Sequence, residues 1–171
     1  MVRPVTVLPG TVTTTRLRLP LLTRAQADDL GSGTRHPSFA PGFPRPDDLA
    51  AASMVRDGDP WGPRLVVRGV DGLVCGTVGF FGGPEDVDGQ PEAEIGFGLV
   101  PDARGRGVAS EAVAALLELT DAAGVRVRAA VRPENAPCLK LLAARGFTQL
   151  RGSTEDGELV MVRPVPAGAT S

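Results

Sequence analysis

The residues with the most chemical promise lie in Pro101-Asp102-Ala103-Arg104-Gly105-Arg106-Gly107-Val108-Ala109-Ser110. A strand-like run ends at Val100, glycines follow, and an amphipathic helix begins. The N–H groups of such a helix start have no intrahelical partner, and the helix dipole favours an anion beside them. Gly105 and Gly107 let a phosphate approach bare backbone, Ala109 keeps the first turn open, and Arg104 and Arg106 add positive charge. Upstream, Glu94 alternates with Ile95, Phe97 and Leu99 and is the candidate general base, with Glu92 of the same parity as alternate. Downstream, Cys138 stands three residues after Asn135, at a helix start. Its S–H could assist a leaving group. As a covalent nucleophile it has no histidine near it in sequence, and a small buried residue is the commoner role.

Three phosphate binders compete for the loop. A P-loop needs a lysine after its last glycine, and none follows Gly107. A dinucleotide fold needs an acid at the end of the next strand, where Arg132 stands. The pyrophosphate of coenzyme A is the third reading, and a glycine turn with no ligand is the alternative to all three.

These residues must be held by a mixed set of elements. Thr11 to Thr15 lead into a short strand at Arg16–Leu19, and Thr23 caps a helix over Arg24–Leu30. A proline-rich loop follows, then a helix over Asp47–Arg56. Asp71-Gly72 joins strands 64–70 and 73–81, 82–90 is an acidic turn, and Ala93–Val100 is a strand. After the glycine loop, Ala109, Ala112, Val113, Leu116, Leu117 and Thr120 form one apolar helical stripe, stopped at Gly124. Strand 125–131, a helix over 136–145, and strands 147–151 and 158–163 complete the chain.

Composition narrows the function. With 171 residues the chain is one ordinary domain, and no run is long and apolar enough to suggest a membrane span or a secretory leader. Eighteen basic residues against 20 acidic ones argue against a dedicated nucleic-acid binder. One histidine and two cysteines give no metal cluster and no disulfide framework, and suggest a reducing, cytoplasmic setting. No tyrosine is present to act as an acid.

Arg104-x-x-Gly107-x-Ala109, the preceding Gly98-Leu99-Val100-Pro101, and Val131-Arg132-Pro133-Glu134-Asn135-Ala136-Pro137-Cys138 with Arg145-Gly146-Phe147 agree in order and spacing with one family. They resemble the acetyl-CoA signature, Asn-x-x-Ser helix start and terminal Gly-Phe of the GNAT N-acetyltransferases. Thr15-Arg16-Leu17-Arg18-Leu19 and Ala93-Glu94-Ile95-Gly96-Phe97 look most like the branch that acetylates ribosomal-protein N-termini.

The resemblance implies an α+β GNAT fold over 16–163: a mixed, mainly antiparallel, splayed sheet flanked by helices, between an extension at 1–15 and a flexible tail at 164–171. It implies acetyl-CoA as co-substrate, with no metal. The pantetheine arm would bond backbone of Gly98 to Val100, and the pyrophosphate would sit on Gly105, Arg106, Gly107, Val108, Ala109 and Ser110 with Arg104 nearby. Asn135 would touch the arm or simply cap its helix. The implied partners are a primary amine, from a protein N-terminus or a small molecule, and a second copy in a homodimer, with neither nucleic acid nor membrane. Phe39, Phe43 and Trp61 would wall the acceptor pocket, His36 could order it, and Glu155 and Asp156 would attract a cationic amine or remain a solvated turn. Two departures stand out: Leu142 holds the position of the family's acidic tyrosine, and Cys138 that of its serine. They keep a catalytically silent acyl-CoA-binding module in view beside the enzyme.

Overall fold

The computed structural model describes residues 7–168, so the expected extension and tail lie partly outside the described residues. The chain clusters into two compact units, 7–83 with 96–116 and 84–95 with 117–168.

The first unit begins with β1 (Thr11–Thr13) and β2 (Leu17–Pro20), paired antiparallel. Leu17 and Leu19 are buried and Arg18 is exposed, the alternation of a strand with one face on the core. Thr23 caps α1 (Arg24–Gly31) in a reciprocal box. Its hydroxyl accepts from Gln26 N–H at 3.1 Å while the Gln26 amide accepts from Thr23 N–H at 2.9 Å. The next helix, α2 (Pro46–Ala52), starts on a proline and is shorter than expected. After Ser53 the Met54 and Val55 N–H groups bond carbonyls only three residues back, so the helix tightens and stops before Gly58.

The strands β3 (Pro63–Arg68) and β4 (Val74–Phe80) form a hairpin through Asp71-Gly72, where Gly72 takes φ 70°. Both are almost wholly buried. The order in this unit is β1-β2-β3-β4-β6, where β6 spans Gln90–Leu99. Arg64 on β3 is fully buried and donates to the carbonyls of Pro9, Gly10, Leu19 and Pro60. Burial lowers its pKa to about 10. A 3₁₀ turn at Pro101–Ala103 leads to the glycine loop and to α3 (Val108–Ala123).

In the second unit the order is β6-β7-β9-β8, with β5 (Glu85–Val87) also on β6. β5 falls inside the expected acidic turn. It forms because Asp88, at φ 53°, and Gly89, at φ 82°, fold it back on Gln90–Glu92. β7 (Arg126–Val131) runs parallel to β6 over Glu92–Glu94, whereas β1–β2, β2–β3, β3–β4, β5–β6, β7–β9 and β8–β9 pair antiparallel. The stripe on α3 behaves as its spacing requires: Ala112, Val113, Leu116, Leu117 and Thr120 are buried. The helix ends at Gly124, φ 69°. α4 (Ala136–Ala144) is followed by Gly146 at φ 91° and by Phe147, which is buried rather than in a strand, so β8 (Gln149–Ser153) starts two residues later than expected. β9 (Leu159–Arg163) closes the ladder against β7. The sheet is thus mixed and mainly antiparallel, with helices on it, as expected.

Candidate active site

The even-numbered face of β6 carries Glu92, Glu94, Gly96 and Gly98, and the buried Ala93, Ile95 and Leu99 alternate with them. In the first unit the two glycines admit large neighbours. A Cβ on Gly96 would stand 2.7 Å from the Phe81 ring, and one on Gly98 would stand 2.3 Å from Arg45 Nη2. Arg45 is held by Asp48, which is fully buried and accepts from Arg45 N–H, Nε and Nη2 and from the Thr77 hydroxyl at 2.7 Å.

Backbone direction on β6 corrects one expectation. Val100 N–H donates to the Cys75 carbonyl of β4 at 2.8 Å, so it is not available to a cofactor arm. A Cβ on Gly76 of β4 would meet the Gly98 carbonyl at 2.1 Å, so Gly98 also turns toward β4. Because backbone polar groups alternate along a strand, those of Phe97 and Leu99 turn the other way. The Leu99 carbonyl accepts from Arg104 Nε at 3.0 Å, which folds Arg104 back along the strand end.

The glycine loop is open. Gly105 and Gly107 take φ 75° and 76°, and a Cβ on Gly105 would meet nothing within 4 Å. Val108 and Ala109 then present the first-turn N–H groups of α3. A residue that motif reading missed braces this loop. Arg16 donates from Nη1 to the Arg106 carbonyl at 3.0 Å and from Nε to Glu111 at 2.7 Å, and its Nη2 lies 3.4 Å from where a Gly107 Cβ would be. Burial would raise the Glu111 pKa, but hydrogen bonds from Thr14 and Arg16 outweigh it and hold the carboxyl below its ordinary range. Ninety-five residues separate Arg16 from Glu111, so no local pattern announces the pair.

In the second unit the two acids of β6 differ sharply. Glu92 is 1% exposed and receives Arg126, Arg128 and both terminal nitrogens of Arg151 at 2.5 to 2.9 Å. Burial raises its pKa, but the three guanidiniums prevail and bring it down to about 2. Glu92 is therefore the anionic centre of an arginine cluster, and its place as alternate base is withdrawn. Glu94 is half-buried, and its Oε1 accepts from Arg128 Nε at 3.0 Å. Arg128 thus ties the two carboxylates together.

Asn135 caps α4, its side chain accepting from Cys138 N–H at 3.2 Å. Burial pushes the Cys138 thiol up, which keeps it protonated. Leu142 is fully buried, a core residue. Trp61 is also buried, its ring 5.0 Å from that of Phe80. Phe39 remains half-exposed and packs edge-on against Phe43, and His36 Nδ1 pairs with the Ser38 hydroxyl at 2.6 Å. Glu155 and Asp156 are exposed at the tip of the β8–β9 hairpin. Among the described residues no group of three or more His, Cys, Asp or Glu could hold a metal, and no helix is long and apolar enough to cross a membrane.

No curated protein matches the chain significantly. Among solved structures, a Bordetella pertussis protein assigned to the GnaT-family acetyltransferases is 25% identical, with a TM-score of 0.66 over 91% of this chain and 99% of its own. The ribosomal-protein-S5-alanine acetyltransferase of Vibrio fischeri is 17% identical, with a TM-score of 0.62 over 92% and 97%. Mycobacterium smegmatis RimJ, solved in complex with CoA-disulfide, is 21% identical, with a TM-score of 0.57 over 90% and 87%. The model of the acetyltransferase (GNAT) domain matches residues 16–148, most of the chain, which therefore belongs to the GNAT family of acetyltransferases and is an acyltransferase.

Proposed function

We propose that the chain moves the acetyl group of acetyl-CoA to a primary amine, on a protein N-terminus or a small molecule, by direct attack. The observation that carries this reading is the open loop at Gly105 and Gly107, leading from β6 into the first turn of α3. Pyrophosphate oxygens fit that cradle, where a side chain would intrude. The arm would extend along the edge of β6 presented by Phe97 and Leu99. Ser110 belongs to the same first turn, and Asn135 would serve through its cap. A cytoplasmic setting accords with two free cysteines.

The chemistry follows from ordinary pKa values. An N-terminal amine has a pKa of about 7.7–8.0, so a modest base suffices to free it near neutrality. Glu94 takes that proton, directly or through water. The amine lone pair then adds to the thioester carbonyl, the C–N bond forms, and the C–S bond breaks while the nitrogen gives its remaining extra proton, through water, to the departing sulfur. A thiol of pKa about 8.5 can leave as thiolate with little help. The neutral Cys138 S–H is a weak donor for that step.

Buried Leu142 favours a second reading, an acyl-CoA-binding module without turnover. Thiol release with a panel of amines, N-terminal peptides and aminoglycosides separates the two. The enzyme releases thiol with some acceptor, whereas the module binds acetyl-CoA and releases none. Glu94→Gln tests the base: turnover should fall by about 100-fold below pH 8, recover at higher pH, and leave acetyl-CoA affinity intact. A loss uniform to pH 9.5 would give Glu94 a positioning role instead.

A further inference from the structure

Beside the glycine loop, within the first unit, lies a cleft of about 440 Å³ lined in part by Thr15, Arg16, Arg68, Asp71, Arg106 and Val108. The loop at Ala103–Val108 forms one side, and the β3–β4 hairpin and the start of β2 form the other. The volume suits a small-molecule site.

Its chemistry is cationic. Three guanidiniums line it against one carboxylate, Asp71, and the surplus stays positive even when Glu111 is set against Arg16. Each guanidinium keeps donors in reserve. Arg68 gives Nε and Nη2 to Asp71 and has Nη1 left, and Arg16 gives Nε to Glu111 and Nη1 to the Arg106 carbonyl and has Nη2 left. Arg106 is exposed, and among the described residues its side chain has no hydrogen-bond or ion-pair partner. The existing pairs fix Arg16 and Arg68 in place, so a ligand would not bear the cost of ordering them.

We infer that this cleft binds a phosphate monoester dianion. Resting on the acetyl-CoA reading above, the source that fits best is the 3′-phosphate of the coenzyme's nucleotide, since the cleft adjoins the loop assigned to the pyrophosphate. Free inorganic phosphate offers the same chemistry.

Calorimetry on the full chain distinguishes these sources, using coenzyme A, 3′-dephospho-coenzyme A and inorganic phosphate, each with wild type and Arg68→Gln. Arg68 lies on the hairpin outside the glycine loop, so Arg68→Gln leaves the loop intact. With the coenzyme as source, wild type binds coenzyme A at least about tenfold more tightly than the dephospho form, and Arg68→Gln reduces that ratio to about threefold or less. With free phosphate as source, the two coenzyme forms bind alike, and phosphate binds with an affinity that Arg68→Gln weakens. Equal binding of the two coenzyme forms, with no phosphate binding sensitive to Arg68, overturns the inference. If neither coenzyme form binds, the acetyl-CoA reading fails, and the phosphate arm still reads the cleft separately.

Discussion

The guanidinium of Arg45 occupies the space over Gly98, with its Nη2 2.3 Å from the point where a Gly98 Cβ would stand. Position 98 is therefore glycine because another element fills its side-chain volume. Arg45 cannot swing aside freely, since Asp48 beneath it is buried and relies on Nε and Nη2. Arg45→Met should cost about 3–5 kcal/mol, the scale of stranding a buried charge. Gly98→Ala should cost a substantial part of that by displacing the same pair, and the double variant should be less than additive. Urea midpoints measure all three. An unchanged midpoint for Gly98→Ala would mean the pair yields without penalty.

Glu92 should make stability depend on acid. Its pKa is about 2 in the folded protein against an ordinary 4.5. A depressed carboxyl contributes stability that is fully present above 4.5 and is lost as pH falls through 2. The difference corresponds to roughly 3 kcal/mol from this one group. Glu92→Gln should therefore be far less stable than wild type at pH 6, and the gap should close as pH approaches 2. Unfolding midpoints across that range check it, and a gap constant with pH would refute it.

Gly107→Val should abolish acetyl-CoA binding while the chain stays folded. At φ 76° any side chain costs about 1–2 kcal/mol of backbone strain, and the added atoms would occupy phosphate space and press on Arg16. Calorimetry with circular dichroism separates lost binding from lost fold. Unchanged affinity would remove the loop from the cofactor site.

Cys138 should prove dispensable as a nucleophile. Cys138→Ser should keep most activity, and Cys138→Ala should lose at most about tenfold, the scale of one neutral hydrogen bond. Because burial keeps the thiol protonated, iodoacetamide should label it slowly at pH 7. An acetylated peptide containing Cys138, formed at a competent rate from acetyl-CoA alone, would overturn direct transfer.

Local patterns were readable where one element sets its own environment. The α3 stripe, the Thr23 cap and the Asp71-Gly72 turn each depend on residues a few positions apart. The roles of Glu92 and Val100 were not readable in that way. Glu92 looks like any polar strand residue until arginines 34 to 59 positions away converge on it. Parity separates the faces of β6, but which edge Val100 N–H serves depends on Cys75 in another strand. β5 carries no local signal, because its three residues have little strand character of their own and are ordered by pairing with β6.

The carbonyls that hold Arg64 bear on where the molecule can be cut. Pro9 and Gly10 supply two of its four acceptors, and Leu8 beside them is buried. A chain trimmed to begin at Thr11 would keep every residue assigned to acetyl-CoA. It would also leave a cation in the interior with half its acceptors gone. Such a chain should emerge as a protease-sensitive species whose β1–β2 ribbon detaches first, and that loss would be mistaken in an activity assay for damage to a catalytic group.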